Sequence, residues 1–597
     1  MSISVESANL HKNEPAVVCC LTPKGTVITP AKLEDPAILP DLIESGLVTP
    51  VAHSLTIGQV LGAVAAKDID ALSPLTADLL EKLPQASSDD ENKAGPSSAY
   101  EKAPINPSEK TPAPGVIRIS VEELKGLKLE IPAGCFPLNS LTGQMQAPLA
   151  PAASQQVPSA AVKEDAPLTS PSETIIRSLV QREFPVKEVR IGGETSFRNG
   201  VLTVRDGLCE ESLSVSDLVK KVELDIITPD KRHVFSNTVM DVIPVAAKVQ
   251  GILGEGVTHV LSGVVFLLTG LDEAGLQMHE FGSCEGFLDE KIRYGRPGCP
   301  DPQDIMIRVN VVIRENTGME RRGPYAAHKA CDYIIQEIRE VLKLMPAADC
   351  QKEETFHDRK KTGKPRVVIV KEIMGQGAMH DNVLLPIEPA GVKGGRQNVD
   401  LGNIPVVLSP NEVRDGGIHA LTCIGPATKE DTRHYFREPL VKLLDEDEEL
   451  ALAGVVFIGS PQVNDEKMFV AARLGSLVEA LNVDGAIVTT EGFGNNHIDF
   501  AENINQIGMR GVPVVGVSFC AYQGQLVVGN KYMDAMIELN KDPEGFESEI
   551  LGDSTLCLED AQRAVLMLKT KMAGIPIAPA DRKWSQNCID ENQKLCR

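Results

Sequence analysis

Positive charge is scarce in this sequence: 59 Lys and Arg stand against 83 Asp and Glu, a formal net charge of -24 over 597 residues. Such a surface repels phosphate backbones and anionic lipid headgroups, so neither nucleic acid nor a membrane is an expected partner. Long apolar runs are missing too. "HVLSGVVFLLTG" and "GVPVVGVSF" fall well short of the ~20 residues that span a bilayer and read as buried strands. The opening "MSISVESANLHKNEPAVVCCLTPKG" has no apolar stretch of signal-peptide length behind a basic region, so a cytoplasmic location is expected. The 13 cysteines contain no CxxC pair and no repeated spacing, which argues against a disulfide scaffold and a zinc ribbon. His328 with Cys331, or Cys284 with Cys299, would each need further ligands to hold a metal. No GxGxxG opens a helix after a strand and no GxxxxGK[ST] occurs, so no nucleotide site is expected. "GVKGGR" reads as a turn.

At this length the chain exceeds one core, and several folded units are expected. Residues 1–84 mix apolar segments with helical punctuation and form a small N-terminal module. Residues 85–172 are rich in Pro, Ser, Asp, Lys and Glu and read as linkers, with a short ordered segment at about 115–141 around "GVIRISVEELKGLKLEI". Residues 173–364 are strand-rich ("VKEVRIGG", "NGVLTVRDG", "VKKVELDIITPD", "NTVMDVIPVAAKV", "THVLSGVVFLLTG", "DIMIRVNVVIRE") and close with the amphipathic "GPYAAHKACDYIIQEIREVLKLM". From residue 365 to 597 the pattern changes: "PRVVIVKEI", "AGVVFIGS", "DGAIVTTEG" and "GVPVVGVSF" alternate with helical stretches. Short continuous apolar runs joined by helices are buried parallel strands. The expected fold is therefore multidomain α+β and α/β, with a strand-rich middle domain followed by a doubly wound βαβ domain. Ligands collect at the carboxyl ends of such strands.

Several residues offer chemistry. His233, His380 and His434 sit beside charged neighbours, as a general base would; a surface or structural role is the simpler alternative for each. Glu491 and His497 flank "GFGNN" at a strand end, and Cys520 ends another strand as a core thiol or a site lining. "LLDEDEEL" reads as a solvated helix face. Cys423 is different, because it lies in the polar, glycine-containing stretch "DGGIHALTCIGPATKEDTRHYFRE". It is a loop thiol, or a nucleophile assisted by His419, or a residue whose sulfur attacks the neighbouring carbonyl of Thr422. The last route exchanges the peptide bond for a thioester; elimination and hydrolysis then leave a pyruvoyl group. Gly416 and Gly417 would give the backbone freedom for it. Spacing alone does not choose among these.

The stretch "DGGIHALTCIGPATKEDTRHYFREPL" resembles the processing site of the pyruvoyl-containing proproteins of the clostridial glycine/sarcosine/betaine/D-proline reductases. "QMHEFGSCEGFLDEKIRYGRPGCPDPQDIMIRVNVVIRENTGMERRGPYAAHKACDYIIQEI", "MGQGAMHDNVLLPIEPAGVKGGRQNVDLGNIPVVLSPNEVRDGG" and "EGFGNNHIDFAENINQIGMRGVPVVG" extend the resemblance from about residue 173 to the end. It implies self-cleavage between Thr422 and Cys423 into chains 1–422 and 423–597, with Cys423 becoming a covalent pyruvoyl group. It also implies a selenocysteine-containing small subunit that supplies the nucleophile, a higher oligomer, and electrons from a dithiol. Overall length favours the branch that opens the ring of D-proline to 5-aminovalerate. A pyruvoyl subunit acting on glycine, sarcosine or betaine, and a non-catalytic scaffold for the selenoprotein, are the alternatives. On this reading Thr422 supplies the scissile carbonyl and His419, by proximity, assists the acyl shift. Lys429 and Arg433 are candidates for the substrate carboxylate, and His380, Glu491 and Cys520 for the pocket lining.

Overall fold

A computed structural model of the chain describes residues 5–19, 21–36, 51–70, 72–82, 172–278, 284–317, 322–373, 403–420, 430–461, 464–490, 496–519, 528–546 and 548–577, the isolated positions 3, 39, 492 and 494, and the short strands 118–122, 126–130, 383–384 and 399–400. The chain forms two compact units, one of residues 1–86 with 169–597 and one of residues 87–168. In the second, Arg118–Glu122 pairs antiparallel with Gly126–Glu130.

The strand-rich part builds two four-stranded sheets. β1 (Ser172–Pro185), β2 (Val219–Ile227), β3 (Val239–Ile243), β4 (Ala246–Gln250), β5 (Gly256–Ser262), β6 (Val264–Asp272), β7 (Ile305–Ile313) and β8 (Lys352–Thr362) are its main strands, and α1 (Arg322–Lys343) its long helix. One sheet runs β4-β5-β1-β8 and the other β3-β6-β7-β2. Two apolar stretches that read as single strands are each two, because the chain changes sheet within them. Pro244 separates β3 from β4, and Gly263 separates β5 from β6. Gly263 turns at φ +74, and a Cβ there would lie 2.7 Å from the Val186 carbonyl oxygen, so only glycine fits the corner. Phe184, Leu261, Met240, Phe266 and Ile307 from the two sheets and Ile334, Ile335 and Ile338 of α1 share one core.

The last part is a doubly wound sheet. Its strands are β9 (Arg366–Ile373), β10 (Val406–Leu408), the two-residue β11 (Ile418–His419, in a separate small sheet), β12 (Ala451–Gly459), β13 (Gly485–Thr490), β14 (Val514–Ser518) and β15 (Met536–Glu538). Helices α2 (Thr432–Phe436), α3 (Pro439–Glu446), α4 (Asn464–Leu481), α5 (Asn496–Gly508) and α6 (Leu558–Met572) connect and cover them. The order is β10-β12-β9-β13-β14-β15, parallel except for the antiparallel edge β10. β9 is first in the chain and central in the sheet. Alternation along it sends Val367, Ile369 and Ile373 to the face covered by α2, α3 and α6, and Val368 and Val370 to the face covered by α4 and α5. Val17, Leu39 and Leu72 of the N-terminal module join this second face.

The acidic run that spans the end of α3 is less solvated than its composition suggests. Asp445 pairs with Arg414 at 2.9 Å and Asp447 with Lys569 at 2.7 Å, while Leu444 and Leu450 are buried. Among the described residues, no helix is long and apolar enough to cross a membrane.

Candidate site at the carboxyl ends of the parallel strands

Thr422, Cys423, Lys429, His380, Glu491 and Cys520 lie outside the described residues, as does "GVKGGR". His419, Arg433 and the flanks of the 421–429 segment are described, and they show how the residues on either side of it are held.

The approach to it is fixed at Asp415, which is fully buried. Its carboxylate accepts from the Gly254 backbone N–H at 2.8 Å and the Thr258 hydroxyl at 2.6 Å, and forms an ion pair with Lys248. These partners belong to or border β4 and β5. Gly416 then turns at φ +77, and β11 carries the chain to Ala420. The Ala420 N–H donates to the Thr432 hydroxyl at 3.0 Å. That hydroxyl donates to Asp241 Oδ2 at 2.6 Å, and the Thr432 N–H donates to Asp241 Oδ1 at 3.0 Å. Asp241 is a lone acid in the apolar strand β3. His328 Nε2 of α1 stands 3.4 Å from its Oδ2, a long, buried ion-pair contact. Burial raises the Asp241 pKa, and His328 and Thr432 counter it. Burial disfavours the His328 imidazolium, yet Asp241 holds its pKa above the ordinary value.

His419 is buried, and its Nδ1 has no hydrogen-bond partner among the described residues. Desolvation, reinforced by Arg339 and His328, drives its pKa well below the ordinary range. The imidazole is therefore neutral, able to accept a proton but weakly basic. Arg433, in contrast, is already engaged: its guanidinium donates to Asp304 at 2.7 Å and Asp301 at 2.9 Å. It borders a cleft of about 1080 Å³ whose walls include Lys352, Glu354, Arg359 and Glu446, charges of both signs with no bias toward a carboxylate.

Directly after the 421–429 segment, Glu430, His434 and Glu438 follow one another at four-residue spacing and converge on Lys371 at the end of β9. Lys371 Nζ lies 2.6 Å from Glu430 and 3.1 Å from Glu438. His434 Nε2 lies 3.2 Å from Glu430 and 3.0 Å from Glu438. All four are buried. Burial alone would keep Glu430 neutral, but Lys371 and then His434 pull its pKa down to about 2. Burial likewise opposes the His434 cation, and the two carboxylates overcome it, raising the pKa to about 9. Two positive and two negative charges thus close on themselves. The Glu430–His434–Glu438 atoms are close enough to ligate a metal, but Lys371 already supplies the countercharge.

On the opposite face Glu372 accepts from Thr490 at 3.1 Å and Asn503 at 2.9 Å. Lys467 pairs with Asp499, and the Ser460 hydroxyl donates to Asp499 at 2.6 Å. Burial, with Asp499 nearby, raises the Glu372 pKa well above the carboxylate range, against the opposing pull of Lys467, Thr490 and Asn503. This network lies where strand order reverses between β9 and its neighbours, the usual ligand crevice of such sheets. His497 is buried and neutral, its pKa lowered to about 4 by desolvation; its Nε2 meets the Phe519 carbonyl oxygen at 3.0 Å. His233 is exposed and stacks on Phe287.

Sequence reasoning missed Asp241, His328, Lys371, Glu372, Glu430, Glu438, Lys467 and Asp499 in these roles. Two signals were readable: "KE" closing the otherwise apolar "RVVIVKEI", and the four-residue spacing of Glu430, His434 and Glu438, although only His434 lies within α2, with Glu430 just before it and Glu438 capping α3.

No solved structure matches the chain. It is 50% identical to the D-proline reductase proprotein PrdA of Acetoanaerobium sticklandii, over 100% of this chain and 95% of that protein. It is 27% identical to the glycine reductase complex component B subunits alpha and beta of Peptoclostridium acidaminophilum, over 60% of this chain and 82% of that protein. The sarcosine reductase complex component B subunit alpha of the same organism is 25% identical, over 55% of this chain and 76% of that protein. The family described as glycine/sarcosine/betaine reductase component B subunits matches residues 177–537, and the chain belongs to that family.

Proposed function

We propose that this chain is the precursor of the pyruvoyl-bearing subunits of a cytoplasmic D-proline reductase. The observation that carries the reading is the contrast in similarity: 50% identity along the whole chain to the D-proline reductase proprotein, against 27% over 60% of it for the glycine relative.

In processing, the Cys423 thiol would lose its proton to a base and its sulfur would attack the Thr422 carbonyl. The C–N bond breaks, the α-amino group of residue 423 takes up a proton, and a thioester joins the two residues. Loss of the α-proton with cleavage of the Cβ–S bond leaves a dehydroalanine and a thiocarboxylate at residue 422; water then releases ammonia and leaves the ketone. His419, neutral and with a buried Nδ1 that has no partner among the described residues, is the proton acceptor proposed, a weak base whose case rests on its nearness in sequence. A pyruvoyl carbonyl supplies an electron sink for an amine nitrogen. The residues that would hold it are those fixing the segment: Ala420 and Thr432 at its two ends, and the Glu430 network at its exit. A selenocysteine-containing small subunit would supply the nucleophile that opens the D-proline ring at its α-carbon, regenerated by a dithiol.

Denaturing electrophoresis with intact masses tests processing: two chains, 1–422 and 423–597, the latter carbonyl-reactive, are expected. A single chain of full mass overturns it. Formation of 5-aminovalerate from D-proline with dithiol and the selenoprotein tests the substrate; turnover of glycine instead would move the protein to the other branch.

A further inference from the structure

The Thr432 hydroxyl occupies an unusual position. It accepts from the backbone N–H of Ala420, two residues before the Thr422 carbonyl, and donates to Asp241, in a different sheet. Both ends of the segment that carries the Thr422–Cys423 bond are therefore tied to one oxygen, and that oxygen to the strand-rich part of the chain. Ala420, Thr432 and Asp241 are all buried, so water does not compete for these bonds. Asp415, five residues before Ala420, and Arg433, next to Thr432, make their own links to the same part, through Lys248 and Thr258 and through Asp301 and Asp304.

Attack of a thiol on the carbonyl of its own preceding residue requires a bent, sparsely populated backbone. Anchoring the chain ends lowers the entropy lost in reaching it. We propose that Thr432, seated on Asp241, is a positioning residue for processing, and that the same clamp ties Ala420 of the first fragment to Thr432 of the second after the cut. The inference rests on self-cleavage at this junction. It adds that the cut depends on a residue some 180 positions upstream in sequence, in a sheet that supplies none of the reacting atoms.

The test is the rate at which purified full-length precursor, unfolded and then refolded, converts to two bands. Thr432→Val removes the hydroxyl at nearly constant volume and should slow conversion about tenfold, near the top of the usual worth of one hydrogen bond. Thr432→Ser keeps the hydroxyl and should restore the rate to within about twofold. Should Thr432→Val fail to refold, Asp241→Asn decides: it withdraws the carboxylate that accepts both Thr432 bonds, and conversion, followed well below the lowered melting temperature that loss of the charge facing His328 brings, should slow similarly. Conversion of the folded Val variant at the wild-type rate, equal slowing of the Val and Ser variants, or, where Val does not refold, normal conversion of Asp241→Asn, would overturn the clamp. Failure of the wild-type chain to convert would instead overturn the processing reading.

Discussion

Cleavage after Thr422 would divide the doubly wound sheet in an interleaved way. β9 and β10 belong to residues 1–422, whereas β12, β13, β14 and β15 belong to residues 423–597, and the order β10-β12-β9-β13-β14-β15 places β9 between two strands of the other fragment. Its Val367, Val368, Ile369 and Val370 are fully buried and Ile373 is 2% exposed. At about 1.5–3 kcal/mol for each buried aliphatic side chain, β9 contributes on the order of 8–15 kcal/mol of apolar burial, as large as the whole stability of many domains. Taken as binding energy this spans roughly micromolar to subnanomolar dissociation constants, before the cost of association and before the Thr432 clamp is added. The processed fragments should therefore co-elute by size exclusion at about 100 nM and separate only in denaturant. Ile369→Ala should cost about 2–5 kcal/mol and lower the urea concentration at which they part. Separation of wild-type fragments in plain buffer, or a cooperatively folded species from residues 423–597 expressed alone, would refute the shared sheet.

Other perturbations bear on the networks at its edge. Lys371→Met leaves Glu430 and Glu438 buried with His434 alone and should cost about 3–5 kcal/mol in urea unfolding; adding Glu438→Gln should recover part of the loss, and an additive double variant would contradict the closed network. The His434 pKa of about 9 lies above the ordinary 6.5, so its stabilisation is complete below about pH 6.5 and disappears as pH rises through 9. The fall in urea midpoint between those values should be smaller in His434→Gln, and equal slopes in both proteins would exclude the linkage. His419→Ala should slow processing without shifting the melting temperature by more than a few degrees; processing at the normal rate removes His419 from the reaction.

Much of the architecture was legible because burial imposes short-range patterns. Parallel strands covered on both faces must be apolar at every position, and "RVVIV", "GVVFI" and "VVGV" have no other soluble use. The corners at Pro244 and Gly263 were not legible: a continuous apolar run says nothing about which sheet each half joins, and tertiary packing decides it. The site was legible where chemistry is local. A cysteine after Thr422 with a histidine four residues earlier can be read from spacing. Asp241 and Lys371 cannot, because their partners lie 191 and 59 residues away, and a lone charge in an apolar strand discloses a need for a partner without naming it. Arg433 illustrates the converse: nearness to Cys423 in sequence suggested a substrate cation, whereas its folded neighbours are Asp301 and Asp304.

If the chain is cut at this junction, the interleaved sheet also explains why one precursor should come before two chains. A central parallel strand must be threaded between neighbours that come later in the sequence, a non-local pairing that is slow even within one chain. Covalent linkage supplies those neighbours at the high effective concentration of an intramolecular reaction; separate fragments would each expose β-strand edges while searching. If the cut itself needs Thr432 seated on Asp241, the bond can break only after the strand-rich sheets and the doubly wound sheet have docked. The chain would then remain whole for as long as wholeness helps it fold, and divide once the sheet and the buried ion network hold both pieces without it.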